Sequence, residues 1–130
     1  MGLEERRKIK ELQDTTIPER TAELAEITGG AISYDIDWDS FADDLEGLNF
    51  MDNLACHRIN MALRVICSDD LGKEAVVDAV KSIALRNTKD ASDRSMSLEG
   101  GTFAMQYPFA MRTDAYFSDG EIREFLLQKL

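Results

Sequence analysis

Residues 31–38 read Ala-Ile-Ser-Tyr-Asp-Ile-Asp-Trp, and their strict alternation is the clearest strand signal in the chain. The apolar side chains on one face are those of Ile32, Tyr34, Ile36 and Trp38. The polar side chains on the other face are those of Ser33, Asp35 and Asp37. The pattern predicts a half-buried strand, with its apolar face against a core and its acidic face in solvent.

Two helices are predicted before this strand. The first covers residues 3–13 and is highly charged. The second starts near Thr16, because threonine can cap a helix and Pro18 suits a first helical turn. It ends at Gly29-Gly30, since glycine readily adopts the left-handed conformation that closes a helix.

Two further helices are predicted after the strand. Residues 47–67 carry a long helical pattern that contains neither Lys nor Glu. A helix at the surface usually exposes such side chains, so this one is expected to be central and covered on more than one side. Asp69 or Asp70 can cap the next helix, which covers residues 71–81.

The last third of the chain predicts three strands and a helix. Residues 82–87 switch to an alternation of period two, which is typical of a strand. Residues 95–98 and 102–109 flank a glycine pair and predict a hairpin. Ser118, with Glu121 three residues later, is a capping-box pattern at the start of the last helix.

The resulting order is ααβααβββα, which predicts an α+β fold: an antiparallel sheet of about four strands with helices packed on one face. No Gly/Pro-rich linker divides the chain, so residues 1–130 are predicted to form a single domain. Within it, residues 1–14 are expected to form a peripheral N-terminal helix.

The chain is acidic, with a formal net charge of -10. Residues 32–70 hold nine acidic residues against two arginines, so this segment contributes most of the charge. Such a surface disfavours nucleic acid and anionic membranes as partners and favours a basic protein or a metal cation. Solubility alone also explains an acidic composition.

The sequence predicts a cytoplasmic location. The amino-terminal residues lack the apolar core of a secretory signal, and no apolar run approaches membrane-spanning length. Cys56 and Cys67 fall in one predicted helix, about 16 Å apart along its axis, which is too far for a disulfide.

Residues 35–46 place carboxylates at ligand positions of a calcium-binding EF-hand loop. These carboxylates belong to Asp35, Asp37, Asp39, Asp43 and Glu46. Ser40 stands where that loop needs glycine, and a strand pattern stands where its incoming helix should be. A cation held by Asp37 and Asp39 remains as a hypothesis, beside the alternative that Asp35 and Asp37 protect an edge strand from unwanted pairing.

A polar stripe on the central helix is the second candidate site. Its residues, Asn53, His57, Asn60 and Arg64, are spaced by four, three and four positions, which stacks them on one face of an α-helix. They could bind a small anionic or amide-bearing ligand. They could equally be the polar side of a buried helix that contacts loops or a second subunit.

The chain has more aromatic and methionine side chains than a thin core needs, which indicates an interaction surface or simply ordinary packing. The predicted surface comprises Asp35, Trp38, Tyr107, Phe109, Tyr116 and Phe117.

No phosphate-binding glycine motif and no nucleophile motif is present, so neither a cofactor nor an enzymatic activity is predicted. The sequence thus favours a small non-enzymatic interaction module of adaptor, inhibitor or immunity type, which binds a basic protein and could form a homodimer. The alternative is a small-ligand or divalent-cation binding protein, or a weak enzyme, that uses the polar stripe.

Overall fold

A computed structural model describes residues 2–114 and 116–130. Over these residues, helices and strands are interleaved along the chain. The α-helices are α1 (Leu3–Glu11), α2 (Ile17–Thr28), α3 (Leu45–Met51), α4 (His57–Ile66), α5 (Asp70–Ala79) and α6 (Asp119–Lys129). The strands are β1 (Ser33–Ile36), β2 (Ser82–Asn87), β3 (Ser95–Glu99) and β4 (Thr102–Tyr107). The predicted succession along the chain of a helical segment, a strand, a second helical segment, three strands and a last helix is confirmed.

Most of the predicted ends of elements are confirmed as well. Asp69 accepts a hydrogen bond from the backbone N–H of Gly72 and so caps α5. Ser118 and Glu121 form the predicted capping box of α6. β4 ends at Tyr107, two residues before the predicted end, because Pro108 lacks the N–H that would continue the hydrogen-bonded ladder.

The first two helices are one continuous helix, and the prediction of a separate start at Thr16 is wrong. Leu12–Thr16 form a π-helical turn between α1 and α2, in which Ile17 donates its N–H to the carbonyl of Leu12. Pro18 has no N–H, and its ring would clash with the carbonyl four residues earlier in a regular α-helix. The wider turn relieves that clash without ending the helix.

A second π-helical turn, Asp52–Cys56, joins α3 to α4. Residues 45–66 therefore form one long helix, in agreement with the central helix predicted over 47–67. The buried side chains of this helix lie in the same core cluster as those of the sheet. The end of α1 also contributes to that core, because Ile9 and Leu12 are buried.

The sheet has the strand order β1-β2-β4-β3 and is mostly parallel, so the predicted antiparallel sheet is wrong. β1 pairs with β2 and β2 with β4 in parallel, whereas only the β3–β4 hairpin is antiparallel. Three helices connect β1 to β2, and such a crossover returns the chain to the same end of the sheet. β3 lies at the far edge, which leaves its hairpin partner β4 to insert beside β2.

Helices cover one face of this sheet. Side chains along β2 and β4 alternate between buried and less buried positions, as expected for one core face and one open face. Ile83, Leu85, Phe103 and Met105 occupy the core face. In the part of the chain that the structure describes, no helix is long and apolar enough to cross a membrane.

A close contact at Gly72 gives a test of this packing. A Cβ atom at Gly72 would overlap the backbone carbonyl oxygen of Ile66, which cannot move without disturbing the end of α4. We expect Gly72→Ala to lower the free energy of unfolding by about 2 kcal/mol or more, as measured by urea denaturation. Gly120→Ala is the matched control, since its Cβ would meet nothing closer than 3.8 Å. That variant should be neutral or more stable by up to about 1 kcal/mol, and equal losses in both variants would contradict the packing.

Candidate functional site

The open face of the sheet presents rows of side chains that run across the strands. The strand register aligns Asp35, Ala84, Ala104 and Ser97 in the middle row. On one side of it, the register aligns Ser33, Ser82, Thr102 and Glu99. On the other side lie Arg86, Gln106 and Ser95.

The middle row makes the open face concave. Its alanine and serine side chains are shorter than those of Arg86 and Gln106 in the next row, and a trough of about 480 Å³ lies over Ala84, Ala104 and Ser97. Alanine and serine pack little surface on a sheet, and exposed strands usually carry larger side chains there. The trough therefore leaves backbone and Cβ atoms accessible to a partner that approaches closely.

Acidic side chains border this trough at the β1 edge. Asp35 is exposed in the middle row, and Asp37 follows directly after β1. A carboxylate oxygen of Asp37 lies 3.7 Å from Nε of Arg86. The positive charge of Arg86 therefore partly balances the negative charges of Asp35 and Asp37. The ion pair is exposed and contributes little to stability.

Asn87, at the end of β2, joins that strand to the segments that follow β1 and β4. Its side chain amide donates to the carbonyl of Ser40 (3.2 Å) and to a carboxylate oxygen of Asp44 (2.9 Å). Its side chain oxygen accepts from the N–H of Phe109 (3.1 Å). Asn87 is only 7% exposed, so these bonds satisfy a polar group that would otherwise be costly to bury.

A groove of about 360 Å³ lies beside Asn87, at the carboxyl ends of the parallel strands. Asp39, Asp43 and Asp44 line it, together with Lys89. Residues 35–46 therefore curve around one corner of the sheet, so that their first acids border the trough and their later acids border this groove. We call this segment the acidic corner.

The carboxylates of the acidic corner do not converge as they would in a calcium loop. Asp37 caps the 3₁₀ turn Trp38–Phe41, and Asp44 caps α3 through the N–H of Gly47. Glu46 pairs with Arg112 at 2.8 Å. Within residues 2–114 and 116–130, no group of three or more His, Cys, Asp or Glu side chains is placed to hold a metal ion. A cation at Asp37 and Asp39 would thus have two carboxylates at most, and it stays a prediction.

The structure does not bring the four residues of the polar stripe into one accessible site. Asn53 and Arg64 are exposed, His57 is half-buried and Asn60 is only 2% exposed. The predicted stacking assumed a regular α-helix, but the π-helical turn inserts a residue between Asn53 and the rest, which rotates it off their face.

Asn60 instead belongs to a hydrogen-bonded network between α2, β1 and the central helix. Its amide donates to Glu23 (2.7 Å), and its oxygen accepts from the hydroxyl of Tyr34 (2.5 Å). Arg20 binds both carboxylate oxygens of Asp52, at 2.8 and 3.0 Å. This network holds α2, β1 and the central helix together, because its polar groups hydrogen-bond to one another.

The electrostatics of the network agree with that role. The hydrogen bond from Asn60, followed by the contact with Arg20, holds the pKa of Glu23 below its usual range. Burial raises the pKa of the neighbouring Cys56 thiol above its usual value, which disfavours the reactive thiolate. Both cysteines are buried and free.

The aromatic residues of the predicted interaction surface lie mostly in the core. Tyr107, Phe109 and Phe117 are buried, so their assignment to a surface is wrong. Phe109 stacks on Phe41 and makes a T-shaped contact with Tyr107. These contacts explain how the aromatic rings pack in the core. Trp38 and Tyr116 are half-buried against that core. Of the predicted set, only Asp35 is fully on the open face.

Sequence reasoning missed the partners of Asn60. Arg20 and Glu23 have a spacing of three that is visible in the sequence as a helical ion pair. The bond between Arg20 and Asp52 spans 32 residues and has no local signal. The alternation predicts Tyr34 only as an apolar strand residue, although its hydroxyl needs a partner wherever it is buried.

Tyr34→Phe tests the network. Loss of the hydroxyl leaves the buried oxygen of Asn60 without its donor, which should lower the free energy of unfolding by about 1–3 kcal/mol. The control is Tyr116→Phe, which removes a hydroxyl outside the network and should change stability by less than about 0.5 kcal/mol. Chemical denaturation measures the free energy of unfolding of both variants. An unchanged value for Tyr34→Phe would show that the network does not stabilise the fold.

Comparisons with known proteins add no assignment to this geometry: no protein-family model, no curated protein and no solved structure matches the chain.

Proposed function

We propose that this chain is a non-enzymatic interaction module, of adaptor, inhibitor or immunity type, that binds a basic partner on the open face of its sheet. The observation that carries this proposal is the uncovered face itself. Parallel strands are almost always covered on both faces in folded proteins. Among the residues that the structure describes, helices cover β1, β2 and β4 on one face only, which supports a role for a partner on the other.

The charge of the face selects the kind of partner. The open face carries Asp35, Asp37 and Glu99 against Arg86. Alanine is the largest apolar residue of the aligned rows, so burial of apolar surface alone would hold a partner weakly. Electrostatic attraction would then supply specificity and a fast encounter with a cationic surface.

The homodimer expected from the sequence would use a different surface. α4 packs against α6, and exposed apolar side chains occur on both helices. They are Met61 and Val65 of α4 and Leu127 of α6, with Leu130 directly after α6. A second copy that buries these side chains would leave the open sheet face free.

Binding of a small ligand is a second candidate function, and the groove beside Asn87 supports it. In open sheets with parallel strands, ligands commonly bind outside the carboxyl ends of the strands. The groove has this position, and its carboxylates suit a cationic ligand. Under this alternative, the acidic corner would bind the ligand through Asp39 and Asp43 rather than through the polar stripe.

Poly-L-lysine provides a direct test of the leading proposal, and Trp38 reports on it. Trp38 is the single tryptophan and lies between two acids of the acidic corner, so its fluorescence should change on binding. We expect saturable binding that weakens when the ionic strength rises from about 0.05 to about 0.5 M, because salt screens exposed charges. Poly-L-glutamate should not bind.

Paired charge variants localise the binding. The double variant Asp35→Asn, Asp37→Asn should bind poly-L-lysine about threefold or more weakly. Each exposed ion pair between a carboxylate and a lysine contributes up to about 1 kcal/mol. The control is Glu74→Gln with Asp78→Asn on α5, which removes the same charge from two exposed positions away from the sheet. Absence of binding in the wild type, or equal weakening in both variants, would overturn the proposal.

A further inference from the structure

The free edge of β1 lies beside an apolar groove. β1 is an edge strand that pairs only with β2. The groove has a volume of about 690 Å³ and lies between α2 and the start of β1. Its walls include Ile17, Ala22 and Ala25 of α2, and Ile32. An edge strand with an adjacent apolar groove is the arrangement that extended peptides use when they add a strand to a sheet.

The hydrogen bonds of β1 fix which backbone groups point to the free edge. Asp37 donates its N–H to the carbonyl of Leu85 in β2 (2.9 Å). Backbone groups alternate in direction along a strand, so those of Asp35 also point toward β2. The N–H and carbonyl groups of Tyr34 and Ile36 therefore point to the free edge, where an added strand would pair with them.

The two faces of β1 demand different side chains from that added strand. On the open face, a neighbouring side chain would lie about 5 Å from Asp35, which favours Lys or Arg. On the opposite face, the next side chain would point toward the helix layer and the groove of Ala22 and Ala25, which favours an apolar residue. An alternation of basic and apolar residues satisfies both.

We propose that the basic partner binds as an extended segment of alternating basic and apolar residues, which adds a strand to the free edge of β1. This inference rests on the proposed function and names the form of its partner. A second copy of this chain does not fit the edge as well. Self-pairing would bring the acidic open-face positions of two β1 strands together, and like charges on neighbouring strands repel.

The test compares two synthetic peptides of the same composition, each about seven residues long, which is a typical strand length. One alternates lysine and valine, and the other groups the lysines together and the valines together. We expect the alternating peptide to bind the full chain about tenfold more tightly than the grouped peptide. On binding it should slow hydrogen exchange of the Tyr34 and Ile36 amides, as observed by NMR.

A variant in the groove gives the matched control. Ala25 is exposed on α2, so Ala25→Arg should fold normally while filling the groove with a charged side chain. This variant should bind the alternating peptide about tenfold or more weakly than the wild type does. Gln128→Arg adds the same charge at an exposed position of α6 and should leave the affinity within about twofold.

The outcomes separate the two proposals. Equal affinity of both peptides, without protection of Tyr34 and Ile36, overturns the added strand and leaves the basic partner standing. Failure of poly-L-lysine and both peptides to bind overturns both proposals. Dimers that form through β1 in the absence of peptide would show that a second copy, and not a basic partner, occupies the edge.

Discussion

The parallel pairing of β1, β2 and β4 determines where the loops and the acidic corner lie. It places the carboxyl ends of the three strands at the same end of the sheet. There the backbone must turn away without leaving buried polar groups unpaired. Asn87 meets that need, because its one side chain bonds to the segments that follow β1 and β4. Those bonds fix the path of the acidic corner, so the position of its carboxylates follows from the strand order.

The same topology leaves one face of a mostly parallel sheet without helices. The chain places its large apolar residues on the covered face, and small or polar residues on the other. Such a face gains little from burying apolar surface, but its short side chains permit close approach and its carboxylates attract cations. The open face and the acidic corner thus form one continuous surface around the edge strand β1. This continuity favours a partner recognised by charge and backbone pairing over an apolar docking surface.

Local sequence patterns predicted the helices and strands, but they did not predict how distant strands pair. The capping residues Asp69 and Ser118 act within one helical turn, so the sequence showed them directly. The parallel sheet was missed because strand order depends on contacts between distant segments. The regular stacking predicted for the stripe through Asn60 fails because a π-helical turn changes the phase of the helix, and the bond from Asn60 to Arg20 spans 40 residues. Asp35 was found because alternation alone places it on the solvent face of β1.

Labelling of a thiol in the middle row of the open face measures whether a basic partner covers this face. Ala104→Cys introduces a thiol in the centre of the trough, while Cys56 and Cys67 are buried and should react little. The measurement is the rate of maleimide labelling with and without poly-L-lysine, with Gln128→Cys on α6 as the control. We expect the thiol at position 104 to be labelled in the free protein and protected by poly-L-lysine, whereas the control thiol is labelled equally with and without it. Labelling at position 104 that is unchanged by bound poly-L-lysine would contradict the assignment of the open face as the binding surface.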